Sequence, residues 1–528
     1  MTEIHDTKEE IKGNNNPNLE KLAKGAGLFF IGTLVIFLSK FIYRILVSRY
    51  LGPSGYGLLA IGDATLNIAL LFTTLGLSSG VTKFVAHYKS EGQPEKIKGT
   101  ILSAFKIVVP LSIIATIAMI IFSEYIALGI FKNENLVGVL VLFILAVPFF
   151  SISYILTGIF LSFQKVNYRN HINVVARAVL SIVLVTIVII FKGNVYLIAL
   201  ATLISHIVPA FLGLYLLEWK TFSIVRTKIK ARYNYKEFFF FSLPLFFSGI
   251  FTSSLGWVDT FFLGALKAAA DVGVYNVALS LVSTLTIFLS AFSNIFFPIS
   301  SALYAKGLLA EIAKMYSSIT RWMFLFSFPI SLLVFAFSEK ILSILFGSAY
   351  SHGAIALQIL IVAYFFKVLV GPASETLMTY DKTKLLFYLN TGVALLNIIL
   401  NYVLIPSLGI LGAAIATSIS IMIRDGIAFF IIYTKLHLTF GKKEYIKGIV
   451  SAVLPLVFIY VIIEKESSVW LFVSMIIVYF LLYLCFLVLF SSFVPDDLII
   501  IETIERKAGF NLQFIKKWMR GAIKTEER

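Results

Sequence analysis

Whatever chemistry this chain performs must come from a few ionisable and amide side chains set inside long apolar runs. Lys40 and Arg44 are four residues apart, as are Asp63 and Asn67, so each pair shares one face of a helix. Arg177, Lys367, Glu375, Arg424 and Asp425 sit deep in later runs, and Asn390, Asn397 and Asn401 recur at spacings of seven and four. A charge at the centre of a bilayer costs about 2.5–3.5 kcal/mol on insertion scales, so each of these groups needs a partner or a polar cavity. Arg and Lys in a low-dielectric chamber suit phosphate, which a guanidinium can grip with two parallel donors. An asparagine stripe can bond sugar hydroxyls, or it can bridge helices. The Lys40, Arg44, Asp63 and Asn67 group reads equally as a cavity wall or as an interhelical lock. Arg424 and Asp425, being adjacent, point about 100° apart on a helix and are expected not to satisfy each other. Lys367, Gly371 and Glu375 fall on one face of a continuous helix, with about 12 Å of rise from Lys367 to Glu375. Lys106 and Asp259 are expected near span ends, where they can reach the membrane surface. Together Lys40, Arg44, Asp63, Asn67, Arg177, Lys367, Glu375, Asn390, Asn397, Arg424 and Asp425 form the candidate substrate-contact set, with no catalytic residue among them.

Signals for enzyme chemistry are lacking. The six histidines (His5, His87, His171, His206, His352 and His437) are dispersed, with no H-E-x-x-H and no metal-ligand spacing. No G-x-x-x-x-G-K-[ST] loop is present to hold a nucleotide. No cofactor or metal is expected; a coupling proton or sodium ion is left open.

The elements that position these groups follow from composition. Of 528 residues, 59% are hydrophobic and 14% charged, against about 25% charged in soluble domains. Runs of about 20 apolar residues, enough to cross a bilayer, recur from Gly25 to Phe490. They predict an all-α membrane protein with about fourteen transmembrane helices, at 25–47, 56–83, 100–122, 136–162, 171–191, 195–217, 238–263, 272–298, 321–345, 354–380, 385–405, 410–434, 446–463 and 469–491. The polar residues 1–24 lack the apolar core of a secretory signal, so the first span is expected to be retained. Cys485 is the one cysteine, which excludes an internal disulfide.

With both termini cytoplasmic, the inner segments and inner span ends hold 32 Lys and Arg and the outer ones six, as the positive-inside rule expects of a protein in the cytoplasmic membrane. The net charge of +16 is thereby read as topology and attraction to anionic membrane lipids, with no nucleic-acid partner. Residues 495–528 read as a basic amphipathic tail on the inner membrane surface.

Two internal echoes share an offset of six spans. Leu51-Gly52 followed by Gly57 is echoed by Leu263-Gly264 followed by Gly273, and Gln164-Lys165 with Asn173 by Asp381-Lys382 with Asn390. An even offset predicts two six-helix lobes in a parallel pseudo-two-fold repeat, facing each other across a cavity. The expected organisation is a tail at 1–24, a first lobe at 25–217, a linker at 218–237, a second lobe at 238–434, an appended helix pair at 446–491 and the tail at 495–528.

Tyr50-Leu51-Gly52-Pro53 with Gly55-Tyr56-Gly57, Thr74-Leu75-Gly76-Leu77, Val272-Gly273-Val274-Tyr275 and the run LNIILNYVLIPSLGILGAAIATSIS at 396–420 carry a resemblance. In them the chain resembles the polysaccharide transporters of the multidrug/oligosaccharidyl-lipid/polysaccharide exporter superfamily, over almost its whole length. The resemblance implies a flippase that moves polyprenyl-(pyro)phosphate-linked oligosaccharide across the cytoplasmic membrane by alternating access, together with glycan-assembly proteins. A cation-coupled exporter of drugs or metabolites on the same fold is the alternative. An exporter of organic cations calls for membrane carboxylates, whereas the first span offers Lys40 and Arg44. A lipid-linked glycosyltransferase would need a large acidic loop, and the longest stretch between spans, 218–237, is basic.

Overall fold

In a bilayer every backbone N–H and C=O must be satisfied within the protein, which favours helices for apolar runs of this length. The computed structural model describes residues 17–254, 256–436, 438, 442–464 and 468–490, and among them all regular structure is helical. The tail expected at 495–528 and most of the one at 1–24 lie outside the described residues. Eleven of the described helices are long and apolar enough to cross a membrane, and counting them does not return fourteen. One reason is fusion. The first two expected spans follow each other without an intervening loop in Pro17–Thr74, where the backbone leaves helical geometry at Gly52 (φ 68°, ψ −177°) ahead of Pro53 and divides the segment into two arms. Such a φ is favourable for glycine and strained for other residues.

The other reason is fragmentation. The eighth span divides into Ala269–Ser283 and Thr286–Ala305, and the seventh contains Tyr235–Ser254 and Val258–Leu266. The tenth breaks between Ala354–Val370 and Ala373–Thr379, where Gly371 takes φ 79° before Pro372. That break removes the common face expected for Lys367 and Glu375, because their helices no longer share an axis.

The segments Pro17–Thr74 and Ala269–Ser283 meet along a seam built by backbone. A Cβ on Gly57 would lie 1.7 Å from the Ala269 carbonyl oxygen, and one on Gly273 would lie 2.1 Å from that of Pro53. These are the two glycines of the first sequence echo, brought face to face. Around them Tyr350 Oη donates to the Ser48 carbonyl (3.1 Å) and Arg49 Nε to that of Leu345 (2.9 Å). A second approach joins Gly76 to Ser242, whose carbonyl oxygen would sit 2.8 Å from an added Cβ.

The final helices, Lys442–Glu464 and Val469–Leu489, pack through Ala452, Tyr483 and Leu487 onto Phe324 and Leu325. Tyr483 Oη donates to the Leu325 carbonyl (2.7 Å) and Tyr479 Oη to that of Pro329 (3.2 Å).

Candidate functional site

The helix Pro17–Thr74 supplies the first wall. Both its arms carry polar groups, Lys40 and Arg44 before the bend and Asp63 and Asn67 after it. Lys40 is accessible and Arg44, Asp63 and Asn67 are half-buried. Asp63 lies within electrostatic reach of Lys40, Arg44 and Arg177, but no ion pair within 4.0 Å joins them among the described residues. Asn67 Nδ2 donates to the Asp63 carbonyl at 2.7 Å. Three cations against one carboxylate leave a surplus of two positive charges on this wall.

Arg177 belongs to a π-helical stretch, His171–Val179; such wide turns recur at functional sites. One guanidinium nitrogen donates to Asn173 Oδ1 (2.7 Å), and the guanidinium lies 4.9 Å from the Phe150 ring centre. Asn173 Nδ2 in turn donates to Thr157 Oγ1 (3.0 Å) and to the Arg169 carbonyl (3.1 Å). The His206 ring packs against Phe150 with centroids 4.7 Å apart, and its Nδ1 lies 2.8 Å from the Thr202 carbonyl. Sequence reasoning missed the role of Asn173 and Phe150. The signal for Asn173 was the nine-residue echo with Asn390, which was read only as evidence of a repeat.

On the second lobe, Lys367 is half-buried and lies 5.8 Å from the Tyr364 ring centre. It is within electrostatic reach of Arg424, Asp425 and Glu375. Arg424 corrects the expectation from helix geometry. Its Nε donates to Asp425 Oδ1 (2.7 Å) and a terminal nitrogen to Oδ2 (2.8 Å), a two-pronged pair between adjacent residues. The long Arg side chain spans the 100° between Cβ directions, so backbone spacing does not limit the contact. With side chains 15% and 8% exposed, the pair cancels its own charge.

The asparagine stripe divides. Asn390 is half-buried, whereas Asn397 and Asn401 are buried, and they turn to Asp259 rather than to an open wall. Asp259, expected to reach the membrane surface, is fully buried. Its carboxylate accepts from Asn401 Nδ2 (2.7 Å), from Tyr275 Oη (2.6 Å) and from Thr417 Oγ1. Asn401 Nδ2 also meets Asn397 Oδ1 (3.1 Å), while Asn401 Oδ1 and Asn397 Nδ2 are left without partners. Lys106 behaves as expected of a flexible stem near a span end, donating to Tyr233 Oη at 3.0 Å.

Residues 22–304 match the family described as "Polysaccharide biosynthesis protein". The chain belongs to that family. A second pattern, described as MatE, matches residues 244–403. Among relatives of this chain, an uncharacterised membrane protein of Methanocaldococcus jannaschii is 25% identical over 84% of this chain and 91% of its own length. A Shigella flexneri protein, named provisionally as an O-antigen transporter, is 23% identical over 74% of this chain and 92% of its own. Of solved structures, the lipid II flippase MurJ in an inward closed conformation superposes with a TM-score of 0.71. It shares 18% identity over 89% of this chain and 99% of that one. At that identity the likeness establishes the fold, that of membrane transporters with many apolar spans.

Proposed function

We propose that this polysaccharide biosynthesis protein flips oligosaccharides linked to a polyprenyl phosphate or diphosphate across the cytoplasmic membrane, by alternating access of its two lobes. The observation that carries this reading is the gathering of Lys40, Arg44 and Arg177 around the single carboxylate of Asp63, with no ion pair joining them among the described residues; this cluster is read as one wall of the transport cavity. Attraction between such a wall and a phosphate head group is far stronger in a low-dielectric chamber than in water. The names of relatives fit: beside the Shigella flexneri protein, a Haloferax volcanii protein named provisionally as a low-salt glycan biosynthesis flippase is 27% identical over 37% of this chain.

The residues divide the work. Lys40, Arg44 and Arg177 hold the anionic head group, Asp63 limits the surplus so that release remains possible, and Lys367 faces the glycan from the second lobe. Asp259, a buried carboxylate among oxygen-bearing side chains and without an ion pair, is where a proton or small cation would neutralise charge and bias the lobe equilibrium. Both termini lie in the cytoplasm, anionic lipids meet the basic inner rim, and glycan-assembly proteins deliver and receive the substrate.

The test is reconstitution into vesicles containing a fluorescent polyprenyl-diphosphate-linked sugar. Flipping faster than in protein-free vesicles supports the reading. The MatE match favours a second reading, export of drugs or metabolites; efflux of a cationic dye with no lipid flipping would replace the first reading by that one.

A further inference from the structure

Of the three arginines in the candidate set, Arg177 and Arg424 are each held by a side-chain oxygen of a near neighbour. Their holders differ in one respect. Arg424 is gripped at both prongs by the Asp425 carboxylate, with distances of 2.7 and 2.8 Å. Arg177 is held through one nitrogen by the neutral amide of Asn173 at 2.7 Å. A guanidinium has five N–H donors, so this contact fixes Arg177 and leaves four. The amide is itself fixed: its Nδ2 is committed to Thr157 Oγ1 and the Arg169 carbonyl, Thr157 Oγ1 donates to the Ser153 carbonyl (3.0 Å), and Asn173 is 7% exposed. With both amide hydrogens committed, Oδ1 must face Arg177. The guanidinium also lies 4.9 Å from the centre of the Phe150 ring.

The second lobe supplies an internal comparison. Asn390, the echo of Asn173, is followed four residues later by Ala394, where Asn173 is followed by Arg177. In that lobe Arg424, on another helix, is paired with a carboxylate.

We propose that Asn173 is the positioning residue that aims Arg177 into the cavity without cancelling its charge, so that anion selectivity resides on the first lobe alone. The assignment rests on the reading of the cavity as a site for an anionic lipid head group. An aspartate at 173 keeps the size of the holder and its acceptor oxygen but adds a negative charge. Whichever group then donates to Thr157, Arg177 becomes paired as Arg424 is.

The full-length protein in nanodiscs is titrated with polyprenyl diphosphate and, as a control of equal chain length, with neutral polyprenol. Wild type is expected to favour the diphosphate, and its affinity to fall with added salt. Asn173→Asp is expected to lose about tenfold or more in diphosphate affinity, as for a buried charge that loses its free valence. Polyprenol affinity should stay at the wild-type value and the salt dependence should flatten. Asn173→Ala removes the holder without adding charge. It is expected to weaken diphosphate binding several-fold while keeping the wild-type salt dependence, and it carries the test should the aspartate variant fail to fold.

A merely structural role would weaken both ligands alike and leave the salt dependence unchanged, and that outcome overturns the proposal. So does wild-type diphosphate affinity in either folded variant. If wild type itself does not distinguish diphosphate from polyprenol, the anionic-lipid reading falls and Asn173 with it; if wild type does and both variants do equally, the assignment of Asn173 falls alone.

Discussion

Arg177 and Arg424 carry the same charge in the same apolar surroundings, and their partners separate what their loss should do. Among the described residues Arg177 has no carboxylate within ion-pair distance, so Arg177→Ala strands no paired carboxylate. Transport of a lipid-linked sugar is expected to fall about tenfold or more, with wild-type expression and thermal stability, because a charge aimed at the head group is gone. Arg424→Ala instead strands Asp425, whose side chain is 8% exposed. Breaking a buried pair from one side costs about 3–5 kcal/mol, so this variant is expected to melt at lower temperature in detergent, and the double variant with Asp425→Ala to recover. A stable Arg424→Ala protein with strongly reduced transport would reverse the roles given to the two arginines. At Asp259, Asn preserves shape and removes the charge. Asp259→Asn is expected to insert normally and to make transport insensitive to imposed proton and sodium gradients, as measured in the same vesicles; a retained gradient response would remove Asp259 from coupling.

At the scale of elements, the seam between Pro17–Thr74 and Ala269–Ser283 depends on two residues having no side chain. A Cβ at Gly57 or Gly273 cannot coexist with the opposing carbonyl at 1.7 or 2.1 Å, and backbone on both sides leaves no flexible atom to yield. Gly57→Ala or Gly273→Ala is therefore expected to force the helices apart and shift the protein toward the state in which this seam is open. Spin labels introduced at Ser48 and Tyr350, whose groups touch at 3.1 Å, would report a longer mean distance in either variant, with transport reduced. An unchanged distance would mean that the seam is not a gate. The bend at Gly52 serves the same assembly. It turns one apolar stretch into two arms, so that Lys40 and Arg44 on one arm come within electrostatic reach of Asp63 on the other.

For the whole molecule, orientation governs function, since a flippase must load on the side where its substrate is made. The 32-to-6 division of basic residues predicts that cysteines placed at Lys192 and Lys267 react with an impermeant reagent added outside intact cells, whereas those at Lys228 and Lys442 do not. The reverse pattern would invert the assigned topology.

Composition and run length alone determined that this chain crosses a membrane many times, because an apolar run of 20 residues has one stable solution in a bilayer. The run at 396–420, together with motifs such as Val272-Gly273-Val274-Tyr275, carried the resemblance to the family. They also marked Gly57 and Gly273 as equivalent, although not that they touch. The charged residues of the cavity were identifiable by type, since each is costly in lipid, but their partners were not. Arg424 reaches Asp425 through side-chain length, which helix geometry at the Cβ does not constrain. Asp259 and the asparagines of the 396–420 run, 138 or more positions apart in sequence, meet only once the helices pack. The number of helices was likewise a tertiary matter, because a glycine such as Gly52 or Gly371 sets a bend whose consequence depends on what each arm packs against. Sequence specifies which groups must avoid lipid; packing decides whether a neighbour silences them or the cavity keeps them available.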